Sequence, residues 1–349
     1  MYIKHVLYQE DIKKILSLPI DWSQLNHSTI LIAGATGMIG TMLVDTLMES
    51  NKKNNSNIKV LTIGRSLEHA QKRFSTYFNH PLFKFIPQDI NQEISIDEEI
   101  TYIFHCASNT HPKAYASDPI GTIMTNIVGT NNLLKFAALN NVKRTVFLSS
   151  VEIYGENTGS ISQFSETDLG YIDCNTVRAG YPEGKRAGES LCQAYISKWD
   201  MDIVISRICR VYGPTMLYND SKALSQFIKN AVNKEDIVLK SDGLQHYSYC
   251  YVADTVSALL YILLYGVKGN AYNIADEKSD VLLKDLTLML SSYVGTKVSY
   301  KLPDEIEKAG FSKATKALLN AQKLKQLGWN ACYNLEDGLQ RTLSILMDM

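Results

Sequence analysis

Short apolar runs alternate with amphipathic stretches along most of the chain. Residues 29–33 form the first apolar run, and a glycine-rich turn leads from it into a helical pattern at 41–48. Residues 59–63, 83–86, 102–106 and 144–148 read as further strands. Helical periodicity fills 67–78 and 119–139 between them. Strands at 203–207 and 271–274 continue the series. This strand–helix alternation predicts an α/β fold of Rossmann type, a doubly wound parallel sheet with helices on both faces.

The rest is less regular. Residues 1–27 read as an N-terminal extension with a short helix at 11–16 that ends near Pro19. The polar stretch 51–57 reads as a loop, and 212–250 carries turns around one helix at 222–230. The longest apolar run, 256–267, contains Ser257 and Gly266. It is too short to span a bilayer and reads as a buried helix.

Composition removes several functional classes. A formal net charge of −1 over 349 residues gives no electrostatic footprint for nucleic acid or an anionic membrane. The N-terminus lacks the apolar core of a secretory signal. Six cysteines without a Cys-x-x-Cys pair suit a reducing compartment, so a soluble cytoplasmic protein with no metal site is expected.

The candidate chemistry begins at Gly34-Ala35-Thr36-Gly37-Met38-Ile39-Gly40. Three glycines after a strand and opening a helix permit a tight turn, close approach of a pyrophosphate and close helix packing. The phosphates then meet free N–H groups at the positive end of the helix. The second strand ends in Gly64-Arg65-Ser66, where an acidic residue would grip a ribose hydroxyl. Arg65 can instead pair with a 2′-phosphate, which leans the choice between NAD and NADP slightly toward NADP. Asp89 and Ile90, after the third strand, are placed to reach the adenine.

Tyr181 and Lys185 lie four apart, on one face of a helix. A lysine ammonium there can lower the tyrosine pKa and hold the nicotinamide ribose, leaving a phenolate to take a proton from a sugar hydroxyl. Ser149-Ser150 ends an apolar strand well ahead of that pair. Ser150 can hydrogen-bond the reacting oxygen, and Glu152 adds a carboxylate for a neighbouring carbon.

These elements, in this order, resemble the extended short-chain dehydrogenase/reductases, in their NAD-dependent epimerase/dehydratase branch. The resemblance spans about 28–345 and includes His105-Cys106-Ala107-Ser108, Asn126 to Thr130, Arg207 to Pro214, Tyr251 to Asp254 and Leu327-Gly328-Trp329. It implies a nucleotide-sugar substrate, a tightly held nicotinamide cofactor and transient oxidation at C4, with surface-polysaccharide synthesis as the usual setting. It adds Ala107, Ser108 and Asn126 to the cofactor contacts. The implied organisation is a cofactor domain over 28–210 with a return at 251–276, and a smaller interleaved substrate domain over 211–250 and 277–349. A homodimer joined through 119–139 and 181–199 is also implied. The implied activity is of epimerase/dehydratase type; the alternatives are a UDP-glucuronate decarboxylase-like activity, whose version of the segment from Tyr181 to Glu189 this chain most resembles, or an NADPH-dependent reductase or dehydrogenase of a nucleotide sugar.

Three positions depart from the family pattern. Val151 stands where dTDP-glucose 4,6-dehydratases have an acidic aspartate. The decarboxylase arginine for the substrate carboxylate is missing, with Lys313 or Lys316 as the nearest replacement. Arg210 replaces an asparagine while Tyr247 replaces an arginine, which suggests that the cation neutralising the substrate diphosphate has moved from 247 to 210.

Overall fold

The computed structural model describes residues 2–110, 115, 117–157, 159, 161–303 and 314–349. Its centre is a seven-stranded parallel sheet. The strands are β1 (Thr29–Ala33), β2 (Lys59–Gly64), β3 (Phe83–Pro87), β4 (Tyr102–His105), β5 (Arg144–Ser150), β6 (Ile203–Ile208) and, after three strands outside this sheet, β10 (Ala271–Ile274). Their order is β10-β6-β5-β4-β1-β2-β3. Successive residues of each strand enter different cores: Ile30, Ile32, Val60 and Phe104 face one, Leu31, Ala33, Leu61 and Ile103 the other. Burial on both faces is what makes these strands continuous apolar runs. The connections reverse direction between β1 and β4, and crevices at such points receive ligands at the carboxyl ends of strands.

Helix α1 (Val6–Leu16) precedes the sheet, α2 (Met38–Asn54) follows β1 and α3 (Leu67–Arg73) follows β2. The helix predicted at 41–48 is longer at both ends. Its C-terminal turn takes in part of the stretch expected to be a loop, because Ser50 and Asn51 are buried, Asn51 bonding both backbone groups of Ile58. Asn55 then stops it in the left-handed region, at φ 51°. The helix predicted at 67–78 is shorter, ending at Arg73.

The long helical pattern at 119–139 is interrupted. It divides into α4 (Pro119–Met124), a π-helical turn (Thr125–Gly129) and α5 (Thr130–Leu139). Helix α6 (Gly180–Trp199) lies against this turn, with Gly184 so close that a Cβ there would sit 2.9 Å from the Asn126 Cβ.

A smaller sheet holds β7 (Arg210–Tyr212), β9 (His246–Tyr251), β11 (Asp280–Leu282) and β13 (Lys316–Ala317), all meeting on β9. β8 (Ile237–Leu239) and β12 (Val298–Tyr300) form a separate pair. The remaining helices are α7 (Ala223–Val232), α8 (Val252–Tyr265), α9 (Leu283–Val294), α10 (Gln322–Lys325) and α11 (Leu335–Met347). Helix α8, which contains most of the longest apolar run, is almost wholly buried; among the described residues no helix is long and apolar enough to cross a membrane.

Candidate active site

The glycine turn sits over the β1–β4 crevice. Gly34 has φ +82°, and a Cβ there would lie 2.7 Å from the Ala107 backbone beyond β4. Gly40 is pressed against Ala35 in the same way, at 2.6 Å. Gly37 is the N-cap of α2 and supplies no side-chain cap, so the first N–H groups of Met38, Ile39 and Gly40 lack that partner. Thr36 is half-buried beside them. The Thr215 hydroxyl donates to the Met38 carbonyl at 2.9 Å, tying the segment after β7 to this turn. A phosphate-bearing dinucleotide fits such a cradle, because backbone donors and absent side chains are what it requires.

Ser108 and Asn126 converge across the crevice, the serine hydroxyl donating to Asn126 Oδ1 at 2.9 Å. Arg65 is exposed just past β2. Ser66 and Asp89 have local duties: Ser66 caps α3 by accepting from His69 N–H, and Asp89 accepts from Asn91 N–H at 2.9 Å. Ile90 is buried against Gly129 of the π-helical turn.

Ser150 ends β5, Tyr181 stands in the first turn of α6, and Lys185 is one turn further on. All three are buried, at 7%, 6% and 3% exposure, so solvent has little access to them. Burial pushes the Tyr181 phenol up to about 12, and the nearby Ser150 hydroxyl pulls it the other way. The spacing predicts that Lys185 lowers the Tyr181 pKa. Instead its Nζ donates to the Leu148 carbonyl at 2.8 Å and lies over the Phe147 ring, and it is not among the groups that shift Tyr181. Burial lowers Lys185 itself to about 8.

Glu152 follows in a 3-10 turn (Val151–Tyr154) whose N-cap is Ser150. Two arginines meet it. Arg178 Nη2 reaches Oε2 at 2.7 Å, and Arg210 Nη2 reaches Oε1 at 3.5 Å. The Arg210 guanidinium lies 3.4 Å from the centroid of the Tyr247 ring, so the two departures from the family pattern are in contact. Lys316 lies on β13 opposite His246, and Lys313 falls outside the described residues.

Two residues of the site were not singled out in the sequence. Arg178 could have been found from its place three residues before Tyr181, in the turn that leads into α6. Tyr115 carries no such signal, since its role comes from stacking on Tyr181 at 5.0 Å, with Arg178 on the same ring at 4.7 Å. Behind the site, Arg207 holds Glu189 with two hydrogen bonds while Ser149 donates to Glu189, bracing the ends of β5 and β6 against α6.

The chain is 31% identical over 314 residues to UDP-glucuronic acid decarboxylase 3 of Arabidopsis thaliana, covering 89% of this chain and 86% of that one. Among solved structures, a UDP-glucuronic acid 4-epimerase from Bacillus cereus in complex with UDP-glucuronic acid and NAD superposes with a TM-score of 0.77 at 22% identity, covering 92% of this chain and 99% of that one. A dTDP-glucose 4,6-dehydratase from Streptomyces venezuelae gives 0.78 at 22% identity, covering 92% and 97%. These two likenesses are of fold. With the model of the NAD dependent epimerase/dehydratase family matching residues 30–275, the chain belongs to that family.

Proposed function

We propose that the protein oxidises a nucleotide-linked sugar transiently at C4, on a nicotinamide cofactor that stays bound through the cycle. The observation that carries this is the convergence of Ser150, Tyr181 and Lys185 at the end of β5, beside the glycine cradle. Gly34, Gly37, Met38, Ile39 and Gly40 would hold the pyrophosphate, and Ser108, Asn126 and Lys185 the nicotinamide half. When bound, the cofactor supplies the redox chemistry, taking hydride from C4 and returning it.

The chain's own residues do the rest. Ser150 holds the C4 oxygen and shares its proton, and Tyr181 takes that proton as base. Lys185, whose ammonium is turned to the Leu148 carbonyl, would hold the nicotinamide ribose. Glu152 handles protons at C5, which the C4 ketone makes acidic. On the cofactor, exposed Arg65 favours a 2′-phosphate, whereas the Bacillus cereus neighbour holds NAD.

Decarboxylation is the outcome at C5 that the curated relatives favour. A carboxylate on C5 of a 4-ketosugar is a β-keto acid. The C5–C6 bond breaks as carbon dioxide leaves, its electron pair moves into the C4 enolate, and a proton is then delivered to C5. We further propose a homodimer through α4, α5 and α6, supported by the exposed Ile120, Met124, Leu139 and Trp199 on them.

The test is incubation in D₂O with UDP-glucuronate, UDP-glucose, dTDP-glucose and GDP-mannose separately, read by mass spectrometry and proton NMR. UDP-glucuronate is expected to lose carbon dioxide and take deuterium at C5, with Tyr181→Phe slowing the reaction by about 10²–10⁴. Turnover that requires added NADPH or NADP in stoichiometric excess would replace this reading with a net reductase or dehydrogenase.

A further inference from the structure

The two arginines around Glu152 carry guanidinium donors whose hydrogen bonding is incomplete. Arg178 lies on Tyr115, and Tyr115 lies on Tyr181, so the cluster begins one ring away from the proposed base. Arg210 lies on Tyr247, whose own hydroxyl is engaged with the Ala314 carbonyl at 2.8 Å. Tyr247 is therefore a platform for the guanidinium. The side chains of Arg178 and Arg210 are only 15% and 21% exposed, against 20% for Glu152.

Arginine does not lose its proton in proteins, so the pair keeps two positive charges beside the Glu152 carboxyl group. Three donor nitrogens, Arg178 Nε, Arg178 Nη1 and Arg210 Nη1, are buried with no hydrogen-bond partner. Buried donors on a cation are costly to leave unpaired, and such exceptions call for an acceptor. A carboxylate is planar, and its two oxygens match the guanidinium fork.

We infer that Arg178 and Arg210 together receive a carboxylate carried on C5 of the sugar, which makes the substrate a nucleotide-linked uronate. This rests on the proposed reaction and adds the residues that select the uronate. The sequence pattern suggested the diphosphate for Arg210. Its contact with Glu152, two residues beyond Ser150, points to the sugar instead. Arg178 and Arg210 thereby replace the carboxylate-handling arginine that the chain lacks near its C-terminus.

The experiment is equilibrium binding of UDP-glucuronate, UDP-glucose and UDP to the full-length wild type, Arg210→Asn and Arg210→Lys, with melting temperatures recorded for each. Wild type is expected to bind UDP-glucuronate at least about 30-fold more tightly than UDP-glucose, the scale of a charge-assisted pair. Arg210→Asn should remove most of that preference while affinity for UDP-glucose and UDP stays within roughly threefold. Arg210→Lys should restore part of it, because it keeps the charge without the fork. If the asparagine variant does not fold, the lysine variant carries the test, with an expected loss of about tenfold on the uronate alone.

Equal losses on all three ligands would assign Arg210 to the diphosphate and overturn the inference. Unchanged affinities would also overturn it, as would a wild type that binds the uronate no better than UDP-glucose or does not bind it. Reduced-cofactor absorbance separately reports C4 oxidation. Uronate-selective binding without it would sink the proposed reaction and leave the carboxylate site standing. Oxidation of UDP-glucose with no carboxylate preference would do the reverse.

Discussion

Tyr181 is poorly prepared as a base by its own surroundings. Burial favours its neutral form, and the negative charge of Glu152 adds to that; only Ser150 and Arg178 oppose it. Lys185, one turn along α6, is turned to the Leu148 carbonyl and does not offset this, and burial lowers its own pKa to about 8. The two titrations work in opposite directions. Phenolate becomes more abundant as pH rises, whereas the Lys185 ammonium that would hold the cofactor ribose is lost above about 8. The kcat/KM for C4 oxidation, which reports the free enzyme, should therefore rise from pH 6 by up to about tenfold per unit and break near 8. Lys185→Arg, which stays charged, should move the break upward. A flat wild-type profile from pH 6 to 9 would mean that neither group titrates in the step that limits kcat/KM.

At the scale of elements, the site depends on how closely backbone segments approach. Gly34 shows this best, because it combines a positive φ with a Cβ position filled by Ala107. Gly34→Ala should cost about 1–3 kcal/mol from strain and crowding, lowering the melting temperature and weakening cofactor binding about tenfold or more. Thermal melts and cofactor titration check this, and a variant that melts and binds like wild type would show that the crevice yields freely. Such glycines were legible in the sequence because a local turn chemistry produces a local spacing. The strands were legible for a similar reason, since burial on both faces leaves an apolar run. The π-helical turn at Thr125–Gly129 was not, because packing against α6 and Ile90 imposes it on residues whose pattern is simply helical. Tyr115 was equally hidden, and so was the meeting of Arg178, Glu152 and Arg210, although Glu152 and Arg210 stood out singly. Their partners come from distant segments, and no spacing along the chain encodes a ring stacked on a ring.

Across the whole molecule, the N-terminal segment joins parts that are far apart in the chain. Tyr8, Ile12 and Ile15 of α1 are buried against the rest of the core. Asp11 accepts from the Tyr251 hydroxyl at 2.7 Å and from Arg341 Nε at 2.7 Å, linking α1 to β9 and α11. Tyr8 donates to Asp45 of α2 at 2.6 Å in a fully buried contact. Burying this polar junction raises its acids: Asp45 is pushed up to about 7, and burial outweighs the Tyr8 hydrogen bond that would lower it. An acid whose folded pKa lies above its unfolded value binds more protons when folded, so its contribution is most favourable at low pH. For Asp45 that contribution is intact below about 4, falls as pH rises toward about 7, and is constant above. Asp45→Asn, whose amide oxygen can still accept from Tyr8, should therefore match wild type near pH 4 and exceed it increasingly up to pH 7. The gain should level off at a few kcal/mol, the order expected for a pKa shift of this size. Urea unfolding of both proteins from pH 4.5 to 8 measures the difference directly. A constant gap across that range would mean that Asp45 does not titrate in the folded protein and that the junction is held by an ionised carboxylate.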